Sequence, residues 1–118
     1  MSYNVKYSIG LIKSQILNNK IKLVVYDFDG VMTDNRVIVS QDGTEAVIVN
    51  RADGLGVHSI RKAGIPQLIL STESNSVVQA RAKKLEIDVI QNCGNKREEL
   101  CKICEEKGYD LAKVIFVG

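Results

Sequence analysis

The segment Ile21 to Tyr26, apolar except for Lys22, runs directly into Asp27-Phe28-Asp29-Gly30, and this junction constrains the chain more than any other stretch. A strand covered on both faces of a sheet reads as a nearly continuous hydrophobic run, so Ile21–Tyr26 is expected to be a buried strand. Two carboxylates one residue apart at the exit of such a strand are costly unless something pairs with them. A hard divalent cation such as Mg2+ is the natural partner, because it takes oxygen ligands and is held by one or two carboxylates together with phosphate. If the strand geometry breaks at Asp27, the spacing separates two tasks. One carboxylate can face an incoming phosphorus as a nucleophile, and the other can meet the leaving oxygen.

Upstream, Ile9, Ile12 and Ile16 share one helical face, which predicts a short helix over Ser8–Asn18. Downstream, residues 36–49 contain β-branched runs on either side of Asp42-Gly43, the pattern of a hairpin whose turn needs a positive φ. Both runs are apolar on both faces. Such a hairpin either packs against another subunit or folds back on its own core; the amount of apolar surface favours a subunit contact. A helix follows, with Leu55, Val57 and Ile60 expected inside, Asp53 as its cap, and Gly64 and Pro66 ending it. His58 within it has no partner in the sequence pattern and is expected to be a surface or packing residue rather than a catalyst.

Leu68-Ile69-Leu70 is a second buried strand, ending at Ser71. A hydroxyl there can donate to a phosphoryl oxygen, at the edge where open α/β sheets place ligands. Ser74, Asn75 and Ser76 are better placed to cap the next helix, Ser76–Glu86, which buries Val78, Ala82 and Leu85. Ile87–Ile90 is a short strand. A helix then runs from Lys96 to Lys107, stopped by Gly108, before a last strand over Lys113–Val117.

The 118 residues suffice for one domain with a modest core. A hydrophobic fraction of 45% and a charged fraction of 25% are globular values, which argue against disorder or a membrane span. The net charge of +2 and the absence of a long basic run argue against nucleic acid as a partner. The first residues lack the apolar core and cleavage site of a signal peptide, which makes the cytoplasm the expected compartment. Cys101 and Cys104 fall in a helical pattern, and the one histidine is far away in sequence. With Cys93 they read as reduced, inert thiols rather than a zinc site.

Asp27-Phe28-Asp29-Gly30-Val31-Met32-Thr33-Asp34 resembles the first motif of the haloacid-dehalogenase superfamily, D-x-D-G-x-x-[TV]. With Ser71 at the second-motif position and Gly94-Asn95-Lys96 at the third, the chain from about Lys22 to Gly118 resembles its capless sugar-acid phosphatases. These are the 3-deoxy-octulosonate 8-phosphate and nonulosonate 9-phosphate phosphatase group. The resemblance implies an α/β three-layer sandwich with a parallel Rossmann-like sheet, a β-hairpin inserted after the first strand and no large cap. It implies Mg2+ held by Asp27 and Asp29 (the latter through its carbonyl), catalysis by Asp27 and Asp29, and phosphate binding by Ser71 and Lys96. Thr33 shapes the loop and, with Asp53, Glu73 and Lys83, belongs to the substrate side. It further implies a homotetramer formed through the hairpin 36–49.

This sequence departs from that pattern in two places. Ser71-Thr72-Glu73 stands where the octulosonate phosphatases have Thr-Gly-Arg. A Glu at position 73, with Lys83 on the next helix, resembles the nonulosonate members. The fourth motif, an acidic pair directly after the last strand, is absent before Gly118, so residues 1–118 read as a single domain truncated short of it. A different outcome is a non-catalytic oligomerisation domain, since domains fused to acylneuraminate cytidylyltransferases also resemble this chain. A phosphoryl-accepting regulator would share the aspartate chemistry but gives Asp29 no task.

Overall fold

The computed structural model describes residues 21–118; the helix expected over Ser8–Asn18 lies outside them. Four parallel strands form the main sheet: β1 (Leu23–Tyr26), β4 (Gln67–Leu70), β5 (Asp88–Ile90) and β6 (Val114–Val117), in the order β5-β4-β1-β6. β1 lies in the middle, with Val25 level with Leu68 on one side and Phe116 on the other. All four of its residues are buried, as its unbroken apolar run requires.

Strand alternation splits the core in two. Val24, Tyr26 and Ile69 face one cluster, which is closed by Val57 and Ile60 of α1 (Ala52–Lys62) and Val78, Ala82 and Leu85 of α2 (Ser76–Leu85). Leu23, Val25 and Leu70 face the other, closed by Leu100, Ile103 and Cys104 of α3 (Lys96–Lys107). The result is the expected three-layer α/β sandwich.

The helix ends explain themselves locally. Asn75 Oδ1 accepts from the Val77 N–H and Asn95 Oδ1 from the Glu98 N–H, satisfying first-turn donors of α2 and α3. Gly108 ends α3 in the left-handed conformation (φ 71°), where a glycine costs least. At α1 the expectation fails in two respects. Asp53 lies inside the first turn, and Asn50 Oδ1 accepts from the Ala52 N–H at 2.9 Å instead. Leu55 is not buried but 74% exposed. At 3.6 residues per turn it points about 140–160° away from Val57 and Ile60, which form the buried stripe.

The hairpin consists of β2 (Thr33–Val39) and β3 (Glu45–Val49), paired antiparallel, with an irregularity between Thr33 and Val37. The Gly43 N–H donates to Ser40 O and the Ser40 N–H to Thr44 O, and the positive φ falls on Gly43 alone (86°). That is a type I turn closed by a left-handed glycine bulge. Val47 and Val49 pack against the α1/α2 core, so β3 is half folded back. Val37, Ile38, Val39 and Ile48 remain exposed, Ile38 at 57% and Ile48 at 51%.

Candidate active site

The chain moves from β1 to β4 to β5 on one side of β1, then crosses to β6 on the other. β1 therefore borders the point where the winding reverses, and the crevice outside the carboxyl ends of the strands there is where open α/β sheets bind ligands. Each expected phosphate-side residue leaves a strand at that edge. Asp27 follows β1, Ser71 follows β4, and Lys96 follows the loop after β5.

At the exit of β1 the Asp27 N–H still donates to Val117 O, after which the ladder stops. Phe28 is anchored in the core, and the chain turns as the Met32 N–H donates to Phe28 O. Gly30 takes φ 77° and its N–H donates to Thr33 Oγ1 at 3.2 Å, so Thr33 closes the loop as expected. This tight turn keeps Asp27 and Asp29 on one rim. Asp27 Oδ1 accepts from its neighbour's N–H, Phe28 N at 2.9 Å, and from Lys96 Nζ at 2.6 Å. Burial holds the Asp29 carboxyl above the usual carboxylate range; the Asp27 charge adds to that and the Lys96 ammonium opposes it.

Ser71 is buried and its backbone is zipped to the strand beside it: its N–H donates to Ile90 O, and its O accepts from the Cys93 N–H. Its Oγ accepts from the Glu73 N–H at 3.1 Å. A hydroxyl oxygen used as an acceptor keeps its proton for a second partner. Asp29 and Glu73 both line a cleft between the hairpin and the N-terminal end of α2, together with Glu45 and Asn75.

Among the described residues no three His, Cys, Asp or Glu side chains converge as a metal cage. The Asp27 carboxylate and the Asp29 main-chain carbonyl are the kind of oxygen ligands that fit Mg2+, which is commonly bound by one or two carboxylates with further oxygens. The cysteines are free thiols, with Cys93 and Cys104 buried, and burial pushes the Cys104 thiol up.

No family model matches the sequence. Among solved structures, a protein assigned to the HAD family hydrolases of Streptomyces avermitilis is 49% identical, with a TM-score of 0.82 over 85% of this chain and 57% of that one. The chain is similar in sequence and fold to haloacid-dehalogenase family hydrolases. The 3-deoxy-D-manno-octulosonate 8-phosphate phosphatase of Moraxella catarrhalis, whose structure contains magnesium, phosphate and KDO, is 30% identical. Its TM-score is 0.80 over 89% of this chain and 62% of that one. Among curated proteins, the N-acylneuraminate cytidylyltransferase of Oncorhynchus mykiss is 26% identical over 102 residues, 83% of this chain and 24% of that one. The chain spans less than two thirds of the length of each of these relatives.

No cap domain stands among the described residues: only the hairpin and α1 lie between β1 and β4. Two expected substrate-side residues lie elsewhere. Asp53 is half-buried in the first turn of α1, where burial lifts its carboxyl and Arg81 opposes; the Tyr26 phenol is raised by burial first and by Asp53 second. Lys83 is exposed in the last turn of α2, far along the helix from the end that meets the cleft. Sequence reasoning missed Glu45, although its parity with Val47 and Val49 places it on the inner face of the hairpin. It also missed Gln91, whose Nε2 donates to Glu73 O and Asn75 O and for which no local signal exists.

No helix among the described residues is long and apolar enough to cross a membrane.

Proposed function

We propose that this domain is a phosphatase that hydrolyses a sugar-acid phosphate monoester of the nonulosonate 9-phosphate or octulosonate 8-phosphate type in the cytoplasm. The observation that carries this reading is the convergence of Asp27, Asp29 and Lys96 at the carboxyl edge of the sheet. An Asp27 carboxylate oxygen attacks phosphorus, and the bond from phosphorus to the sugar oxygen breaks. Asp29, held protonated more readily than an ordinary carboxyl, passes its proton to that oxygen. It then takes a proton from the water that attacks the aspartyl-phosphate, releasing inorganic phosphate and restoring Asp27. Lys96 and Ser71 hold the phosphoryl oxygens as negative charge is redistributed. Mg2+, held by Asp27 and Asp29, would supply further neutralisation of the phosphate.

Self-association through residues 36–49 is part of the proposal, as a homotetramer. Its support is the apolar surface that Ile38, Val39 and Ile48 leave exposed. Replacing Ile38 and Ile48 by lysine should shift the sedimentation velocity profile to a smaller species.

The match to a cytidylyltransferase supports a second reading, a non-catalytic assembly domain. The retention of both aspartates with their lysine weighs against it. Phosphate release from both sugar-acid phosphates with Mg2+, by wild type and by Asp27→Asn, separates the two. Turnover that disappears with the substitution supports the phosphatase, and equal, negligible release from both proteins supports the assembly domain.

A further inference from the structure

The cleft beside Asp29 carries an unusual lining. Asp29, Glu45 and Glu73 supply carboxylates, Val37, Val47 and Val77 an apolar wall, and no lysine, arginine or histidine side chain lines it. Glu45 belongs to the hairpin, an exposed element, yet its carboxylate is held. Its Oε2 accepts from Asn75 Nδ2 at 3.2 Å. The orientation of that amide is set from its other end, because Asn75 Oδ1 accepts from the Val77 N–H at 2.9 Å as the cap of α2. A flipped amide would turn its NH2 toward the backbone N–H and its oxygen toward a carboxylate, so both contacts would be repulsive. Asn75 is fixed in turn by Gln91, whose Nε2 donates to Asn75 O at 2.9 Å and to Glu73 O at 3.1 Å. The Glu45 carboxylate and the Glu73 main chain are thus placed by one connected set of hydrogen bonds, and Glu45 still has acceptor capacity for a ligand.

We propose that Glu45, held by Asn75, is a specificity-determining residue of this site, and that the cleft receives the hydroxylated, uncharged flank of the phosphate ester. The inference rests on the phosphatase reading and adds the direction in which the substrate lies. Hydroxyl groups donate to carboxylates, and the C–H faces of a sugar pack on valines. A second anion on the substrate meets like charge here and is directed away from the cleft. The hairpin therefore contributes to recognition within its own chain.

The test measures KM and kcat for nonulosonate 9-phosphate and for p-nitrophenyl phosphate, whose leaving group carries no hydroxyl flank. Loss of one charged hydrogen bond changes affinity by about ten- to a hundredfold. Glu45→Gln should raise KM for the sugar phosphate by about tenfold more than for the aryl phosphate, and Glu45→Lys should raise it further. Asn75→Asp keeps the capping oxygen but loses the donor to Glu45, and should raise the sugar-phosphate KM in the same direction. A lower KM for the sugar acid in Glu45→Lys would mean that its carboxylate occupies the cleft, and would overturn the proposal. So would parallel changes for both substrates, or none. Aryl phosphate hydrolysis that survives Asp27→Asn identifies failure of the phosphatase reading itself, and the proposal falls with it.

Discussion

Lys96 Nζ lies 2.6 Å from Asp27 Oδ1, although the two residues are 69 positions apart in the chain. Neither side chain is fully buried, with 25% and 31% exposure, so the pair is reachable by substrate while partly shielded from water. The lysine opens α3 on one face of the sheet and the aspartate leaves the central strand, so the contact fixes the helix start against the exit of β1. It also sets the charge balance of the rim, because the same ammonium opposes the upward shift of Asp29.

Lys96→Ala should therefore affect chemistry more than folding. Removing one partner of a charged hydrogen bond costs about 1–3 kcal/mol, read as a lower urea midpoint at neutral pH. Turnover should fall by roughly a hundredfold or more, as for other groups aimed at developing charge. A variant with normal turnover would remove Lys96 from the phosphate site.

Asp53 offers a test of pH dependence away from the reacting groups. Its carboxyl is raised in the folded protein, chiefly by burial, with Arg81 opposing. A raised folded-state pKa means that the folded state prefers the proton. The associated stability is fully present below the unfolded value of about 3.9 and is lost as pH rises through the higher folded value. Asp53→Asn should thus melt at a higher temperature than wild type at pH 7, with the gain shrinking toward pH 4. A lower melting temperature at pH 7 would show that the attraction to Arg81 outweighs burial.

Tyr26→Phe examines the polar contact inside the larger core. The Tyr26 hydroxyl donates to Gln67 Oε1 at 2.6 Å, and Gln67 Nε2 donates to Val57 O at 3.0 Å, joining β1, β4 and α1. The phenylalanine variant leaves a buried amide oxygen without its donor, a loss of about 1–3 kcal/mol in denaturant unfolding.

Gly43→Val isolates the turn of the hairpin. Nothing lies within 4 Å of an added Cβ, so the effect comes from the left-handed φ of 86°. The strain is roughly 1–2 kcal/mol. Because β2 and β3 form their own two-stranded sheet, faster hydrogen exchange should be confined to residues 37–48 and spare β1 and β4.

Several features were legible in the chain because they are local. The continuous apolar run of β1 announced a strand buried on both faces, and Asp42-Gly43 announced a hairpin turn. Asn75 was readable as a cap because a short polar side chain can reach its own next turn. Local signals were also where the reading erred. Asn50 and Asp53 are both plausible caps, and which one serves depends on where the backbone leaves β3. Leu55 is as hydrophobic as Val57, and only the rotation of α1 against the sheet decides which faces inward.

The sequence by itself determined the α/β alternation, the carboxylates after the first strand, and the order of Ser71 and Lys96 behind them. Those features depend on hydrophobic periodicity and on residue types at short spacing, which act before the chain is folded. Only the tertiary structure decided that Lys96 reaches Asp27, that Asn75 holds Glu45 beside Asp29, and that Lys83 stands away from the cleft. Contacts between residues 30 to 69 positions apart depend on how strands are ordered and helices seated, and no local pattern encodes that geometry.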